Sequence, residues 1–467
     1  MERIRCLLRK SSDEQAYEPL AEGHENDSER EGETAFPAQL VSDEDGLDDT
    51  EFSWFEYSVF VMLGIAMLWA WNMFLAAAPY FQARFADNKW ILDSFQSAIT
   101  SVGCLTNLGS MTILLQMQTK ADYPKRILSA LAINLVIFSL LAISTKAFQD
   151  VSSMGYLVFI LIMVFGTSVA TGFAQNGAFA FAASFGRPEY MGAIMMGQAI
   201  AGVLPAFAQI LSVLAMPDAD HWADPKDQMV VQNKSTSSSA FAYFLTALGV
   251  SILTAIVVVP MVQRHRLALD RKMGSSVTSI QEVEQALRKP VKMLSLYRKL
   301  HWLAFSVFLC FAVTMFFPVF TQKIVSIVPE DEAPRLLQPT VFIPLGFLIW
   351  NCGDLAGRLA TNFHWMRLRS PRALFVVSLS RVVFIPLYYL CNIENKGAKI
   401  RSDAFYLFVV QLAFGWTNGW LGSLCMTEAD SWVNEKEREA SGGFMALNLV
   451  AGLTSGSLLS FAVSTSI

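Results

Sequence analysis

The chain has 467 residues, of which 53% are hydrophobic and only 16% charged, with mean hydropathy +0.40 and a formal net charge of −5. Soluble domains carry about 25% charged residues, so this composition excludes a soluble globular protein and points to an all-α polytopic membrane protein. The six cysteines (Cys6, Cys104, Cys310, Cys352, Cys391 and Cys425) are scattered through mostly apolar runs, which excludes a disulfide framework or a cysteine-rich metal site.

Residues 1–56 are polar, acidic and poor in aromatic side chains, and read as a disordered cytosolic tail. Cys6 to Leu8 is too short for the apolar core of a secretory signal. Tyr17-Glu18-Pro19-Leu20 fits the tyrosine-x-x-bulky apolar sorting pattern, with Tyr17 and Leu20 as the read positions. A sorting adaptor that took this segment would send the protein to a vacuole or lysosome. The alternative destination is the plasma membrane, since so short a pattern also arises by chance.

Eleven apolar runs follow, over 57–81, 91–115, 126–146, 153–183, 190–215, 239–262, 300–322, 340–362, 371–391, 403–427 and 440–464. Each is near or above the length that spans a bilayer as a helix. The loops on the side of the N-terminus carry more Lys and Arg, nine of them between 264 and 299. The predicted topology therefore has a cytosolic N-terminus and a C-terminus facing out or into a lumen. Asn233-Lys234-Ser235 is then a glycosylation sequon in an outside loop, 216–238. The long basic loop 264–299 divides the spans six and five. The expected organisation is a six-helix bundle over 57–263, a cytosolic linker over 264–299 and a five-helix bundle over 300–467. Within the linker, residues 279–289 have the spacing of a short surface helix. Pro318, Pro344 and Pro386 are candidate points of kinking or unwinding.

Enzymatic readings find little support. There is no GxxxxGK[ST] phosphate loop and no HExxH, and the five histidines (24, 221, 265, 301, 364) lie in the tail, loops or span edges, away from other metal ligands. No cofactor is expected. Polar side chains deep in apolar spans stand out instead: Trp71 and Asn72 in the first, Asn107 in the second, Gln175 and Asn176 in the fourth, Gln198 in the fifth, Arg381 in the ninth, Asn418 in the tenth and Asn448 in the eleventh. Each Asn or Gln alone is explained as helix-helix glue. The eighth span, Phe342–Thr361, is the strongest signal, because it holds Asn351, Asp354 and Arg358. Asp354 and Arg358 are four apart and share a helix face, where they can pair. A charge at that depth costs about 2.5–3.5 kcal/mol on insertion scales, so it persists only with a partner or a water-filled path. Two readings follow. The pair is a brace to a neighbouring helix, or it lines a polar solute site, where carboxylate and guanidinium clasp a diol while aromatic faces stack on a ring.

Several blocks are distinctive: MLGIAMLWAWNMF in span one, AQNGAFAFAASFG and MGAIMMGQAIAG in spans four and five, FFPVFT, FLIWNCGDLAGR, RVVFIPLYYLCN, GWTNGWLGSLCM and EASGGFMALNLVAGLTSG. In this order they resemble the equilibrative nucleoside transporter family, and its fungal branch more closely. The D-x-x-G-R block of span eight, behind the Phe-Pro of span seven, is the most specific of them. The resemblance implies eleven transmembrane helices in a major-facilitator-like 6+5 arrangement, with alternating access and facilitated movement of nucleosides, sometimes nucleobases. It implies nucleosides and the lipid bilayer as partners rather than a nucleic-acid polymer. By that likeness Asp354 and Arg358 contact the ribose and Gln175 the base. Trp71, Leu68 and Leu75 line the pocket, Asn351 supports it, and Arg381, Asn72 and Asn418 serve gating or structure. Ala70 stands where the family commonly has Pro before Trp-Asn, which puts the local kink in doubt. Glu428 and Asp430 are either a proton site or solvated interface charge. Other readings kept open are a carrier of organic cations or other solutes on the same scaffold, and a non-transporting receptor or scaffold.

Overall fold

A computed structural model describes residues 52–117, 121–147, 151–215, 225–273, 291–329 and 332–464. The sorting pattern at Tyr17 and Leu20, and the short helix expected over 279–289, lie outside the described residues. Fourteen α-helices carry the chain: α1 (Trp54–Ala76), α2 (Ala78–Arg84), α3 (Lys89–Gln116), α4 (Tyr123–Ser144), α5 (Ser153–Ser184), α6 (Pro188–Ala215), α7 (Pro225–Met273), α8 (Met293–Thr314), α9 (Phe316–Thr321), α10 (Pro339–Ala360), α11 (Pro371–Ser380), α12 (Phe384–Tyr388), α13 (Ala413–Glu428) and α14 (Glu435–Ser464), counted among the described residues. There is no named strand among them, only a single bridge between Ile324 and Ile393.

The helices begin where the sequence supplies caps. The side chains of Ser53, Asn88, Asp122 and Ser152 accept from the backbone N–H three residues on, opening α1, α3, α4 and α5. They break where proline removes a donor. Pro318 has no N–H for the Thr314 carbonyl, and α8 stops at Thr314 before α9 resumes. Pro386 cannot serve the Val382 carbonyl, and the chain there passes through a 3₁₀ turn, Arg381–Val383, between α11 and α12. Pro344 lies inside an unbroken α10. α1 runs continuously through Ala70 and Trp71 and ends only ahead of Pro79, so the missing proline leaves the helix whole.

Ten helical segments among the described residues are long and apolar enough to cross a membrane, against the eleven expected. The difference lies in the run 403–427, which opens as a π-helix, Phe405–Leu412, before α13. Neither piece alone, at 8 and 16 residues, reaches the length of a span. α7 begins at Pro225, within the expected outside loop 216–238, while its apolar span starts only at Thr236; Asn233 lies on its helical backbone, and its side chain is outside those described.

Glycines set the closest helix pairs. A Cβ on Gly64 or Gly197 would run into the backbone of the facing helix, so α1 and α6 meet main chain to main chain. The same holds for α10 against the helical run Phe405–Glu428, at Gly353, Gly357, Gly415 and Gly419. Three apolar cores result. One gathers residues from both sides of the 264–299 loop, such as Phe60, Phe179 and Ile194 with Leu300, Leu424 and Met445. It sits at the end where α1 begins. A second, around Phe74, Phe138 and Phe244, uses only residues before that loop. A third, around Phe320, Tyr388 and Phe414, uses only residues after it. The two parts of the chain are thus joined at one end and separately packed at the other.

Candidate functional site

α10 places Asp354 and Arg358 on one face, and they pair: Arg358 Nε donates to Asp354 Oδ2 at 2.8 Å. Both are buried, at 3% and 7% exposure. Asn418 Nδ2, from α13, donates to Asp354 Oδ1 at 2.7 Å. Arg358 Nη1 donates to the Met195 carbonyl of α6 at 2.6 Å. Each charge therefore meets an opposite charge and an oriented dipole, the condition under which a buried pair is tolerated.

A second cluster adjoins the first. Arg381 is 1% exposed, and its acceptors are uncharged. It donates to the Cys310 carbonyl at 2.6 Å, to Thr314 Oγ1 at 3.1 Å and to Thr417 Oγ1 at 3.3 Å, and its guanidinium lies 4.8 Å from the Phe414 ring centroid. Thr314 Oγ1 is 2.6 Å from Asn418 Oδ1. A continuous polar chain thus runs Met195–Arg358–Asp354–Asn418–Thr314–Arg381. The sequence pairs Asp354 with Arg358 but leaves Asn418 and Arg381 as separate features, and it gives no sign of Thr314 or the Met195 carbonyl, since neither a lone threonine nor a backbone oxygen carries a sequence signal.

A cleft of about 710 Å³ opens at the end where α1 begins, between the starts of α1 and α6 and the ends of α10 and α13. Trp54, Tyr57, Met196, Arg358, Arg367 and Glu428 are among the side chains that line it. Its volume lies within the range of small-molecule sites. Arg358 is thus the member of the pair that faces open space, with Asp354 behind it.

The remaining expected residues fall elsewhere. Gln175 is buried in α5 and accepts from Asn107 Nδ2 at 3.2 Å, while Asn107 Oδ1 is buried with no hydrogen-bond partner among the described residues. No hydrogen bond among the described residues links Gln175 to Asp354 or Arg358. Leu68, Trp71 and Leu75 form one stripe of α1, with Leu75 45% exposed and the Trp71 ring against Gly103. Asn72 Nδ2 ties α1 to the Ala201 carbonyl of α6 at 2.6 Å. Asn351 Nδ2 bonds its own helix at Phe347 O, 2.8 Å, and its amide oxygen packs over Gly202. Asn176 accepts from Arg126, a buried arginine that also caps the end of α3 through the Leu114 and Met117 carbonyls. Glu428 lines the cleft. Asp430 does not: it is buried, its Oδ1 accepts from Ser441 at 3.4 Å, and its Oδ2 has no hydrogen-bond partner among the described residues. Burial pushes its carboxyl up to about 7, against the opposing pull of Arg438 and Ser441. Gln411, unremarked in the apolar run FVVQLAF, is fully buried in the π-helix. It donates to Thr321 Oγ1 (2.7 Å) and Tyr406 Oη (2.6 Å), and accepts from Tyr388 Oη (3.0 Å).

Comparison with known proteins agrees with this architecture. Among solved structures, the chain is similar to the Escherichia coli fucose:proton symporter FucP, with TM-score 0.53 and 13% identity over 87% of this chain and 96% of that one. It is similar in the same way to a bacterial homologue of the iron transporter ferroportin in an outward-facing state, with TM-score 0.50 and 14% identity over 88% and 91%. At that identity the likeness establishes the fold, a helical major-facilitator arrangement. In sequence the chain is 27% identical to the nucleoside transporter FUN26 of Saccharomyces cerevisiae, over 87% of this chain and 83% of that protein. It is 26% identical to human equilibrative nucleoside transporter 1, over 86% and 95%. The family described as nucleoside transporter matches residues 160–465, more than half of the chain. This multi-pass membrane protein therefore belongs to the nucleoside transporter family.

Proposed function

We propose that the protein moves nucleosides across a membrane by facilitated, alternating-access transport, with the Asp354–Arg358 pair as its sugar-binding element. The observation that carries this reading is the position of Arg358. One guanidinium borders a cleft of ligand size, holds the carboxylate of its own helix, and grips the backbone of α6 on the far side of the 264–299 loop. A solute that engages Arg358 or Asp354 competes with that grip, so binding is coupled to the contact between the two parts of the chain. A brace and a solute site are then one device rather than alternatives. The shared core at one end and separate cores at the other support two bundles, 57–263 and 300–467, rocking about such a contact. Gln175 and the Leu68–Trp71–Leu75 stripe belong to the first bundle and would meet the base from the opposite side.

In this reading the N-terminus is cytosolic and residues 403–428 complete an eleventh span through the π segment. Tyr17 and Leu20 remain the proposed sorting signal for a vacuolar or lysosomal membrane, Asn233 the proposed glycosylation site, and Asp430 rather than Glu428 the proposed proton site. The deciding experiment is reconstitution of purified protein in liposomes, with influx of labelled uridine and adenosine measured with and without a pH gradient. Saturable influx that unlabelled nucleosides compete away is expected. Influx at the level of empty liposomes would refute transport.

A further inference from the structure

Asn418 joins the two arginine clusters, through Asp354 on one side and Thr314 on the other. Its amide has a single workable orientation. Turned over, Oδ1 would face the Asp354 carboxylate, acceptor against acceptor, and the NH₂ would be lost to Thr314. As placed, Nδ2 donates to Asp354 Oδ1 at 2.7 Å, and Oδ1 receives the Thr314 hydroxyl at 2.6 Å. Thr314 is in turn held by Arg381 Nη2 at 3.1 Å. Asn418 is as buried as Asp354, at 2% against 3% exposure, and both ends of its amide are already engaged, by Asp354 and by Thr314.

From this geometry we infer that Asn418 is a positioning residue: it fixes the plane of the Asp354 carboxylate, with Arg358 on one oxygen and the Asn418 amide on the other, and thereby sets the carrier's selectivity for sugar hydroxyls. The argument rests on the sugar-binding reading of Asp354 given above. A carboxylate free to turn about its Cβ–Cγ bond accepts from hydroxyls in many directions and discriminates poorly among them. Clamped at both oxygens, it leaves only fixed lone pairs, so a sugar lacking the matching hydroxyl leaves a buried acceptor unmet. The relay through Thr314 to Arg381 adds a second cation behind the clamp. Asp354 thus stays oriented when a solute draws Arg358 away.

The test is the uptake ratio of uridine to 2′-deoxyuridine and 3′-deoxyuridine, which is independent of how much carrier is inserted. Four proteins are compared: the natural chain, Asp354→Asn, Asn418→Leu and Thr314→Val. Thr314→Val preserves shape and removes only the hydroxyl, so it serves if Asn418→Leu does not fold. The natural protein is expected to favour uridine over at least one deoxy analogue, with that preference falling about tenfold in Asp354→Asn, a hydrogen bond to a charged group being at stake. Asn418→Leu and Thr314→Val are expected to lose most of the same preference, whereas a merely structural role would lower uptake of all three nucleosides alike. A ratio unchanged in both variants but lost in Asp354→Asn would overturn the positioning role alone. A ratio unchanged in Asp354→Asn, or absent in the natural protein, would overturn the sugar reading of Asp354 and this inference with it.

Discussion

Arg358 and Met195 lie 163 positions apart, yet the guanidinium of one donates to the carbonyl of the other at 2.6 Å. The contact is to backbone, so replacing the Met195 side chain leaves the acceptor in place, whereas a change at position 358 removes the donor. Arg358→Lys keeps the charge but loses the fork that lets one side chain serve Asp354 and Met195 together. Nucleoside uptake, normalised to carrier in the membrane, is expected to fall at least about tenfold. Uptake within twofold of the natural protein would show that the grip on α6 does not matter to transport.

Asp354→Ala is expected to abolish uridine and adenosine uptake in a protein that still reaches the membrane. It leaves Arg358 buried without its counter-charge, a loss on the order of 3–5 kcal/mol, so the thermal midpoint in detergent falls as well. Labelled-nucleoside uptake together with immunodetection in isolated membranes checks both. Normal transport would remove Asp354 from the site.

Gly415→Ala tests the backbone contact of α10 with α13, since a Cβ there would collide with the Trp350 carbonyl. A loss of about 1–3 kcal/mol is expected from overpacking. Gly249, in α7, has open space where its Cβ would sit, and Gly249→Ala should be neutral or stabilising by up to about 1 kcal/mol. Thermal melts of the two variants side by side are the measurement. Equal midpoints would mean that α10 and α13 can part at no cost.

Asp430 makes stability depend on pH. Its folded carboxyl is pushed from 3.8 up to about 7, so between those values the folded protein holds a proton that the unfolded chain has released. Stability therefore falls as pH rises through this window, and above about 7 the full penalty, about 4 kcal/mol, applies. Asp430→Asn removes the charge, so its melting point should exceed that of the natural protein at pH 8 and match it near pH 4. A difference that does not change with pH would contradict the assignment.

The spans and the pairing of Asp354 with Arg358 were legible in the sequence, because each rests on local spacing. Apolar length marks a helix that can cross a bilayer, and a four-residue interval puts two side chains on one face. Pro318 and Pro386 were legible as weak points for the same local reason, the missing N–H. Pro344 was not distinguished from them, because whether a helix absorbs a proline depends on the neighbours that support it. The run 403–427 read as an ordinary span, since a π-helix has the same composition as an α-helix. What holds the π segment includes Gln411 reaching Thr321, Tyr388 and Tyr406, residues five to ninety positions away.

Composition and spacing by themselves determined that this protein is a helical membrane protein with a charged pair buried in one span, because the cost of charge and bare backbone in hydrocarbon leaves few alternatives. Tertiary structure alone decided that Arg358 faces a cleft while Asp354 stands behind it, that Asn418 joins them to Arg381, and that Gln175 bonds to Asn107 rather than to the pair. Those facts depend on which helices touch and at what rotation. Glycines such as Gly64 and Gly415 permit the close approach, but the partner each one meets is set only when the whole bundle packs.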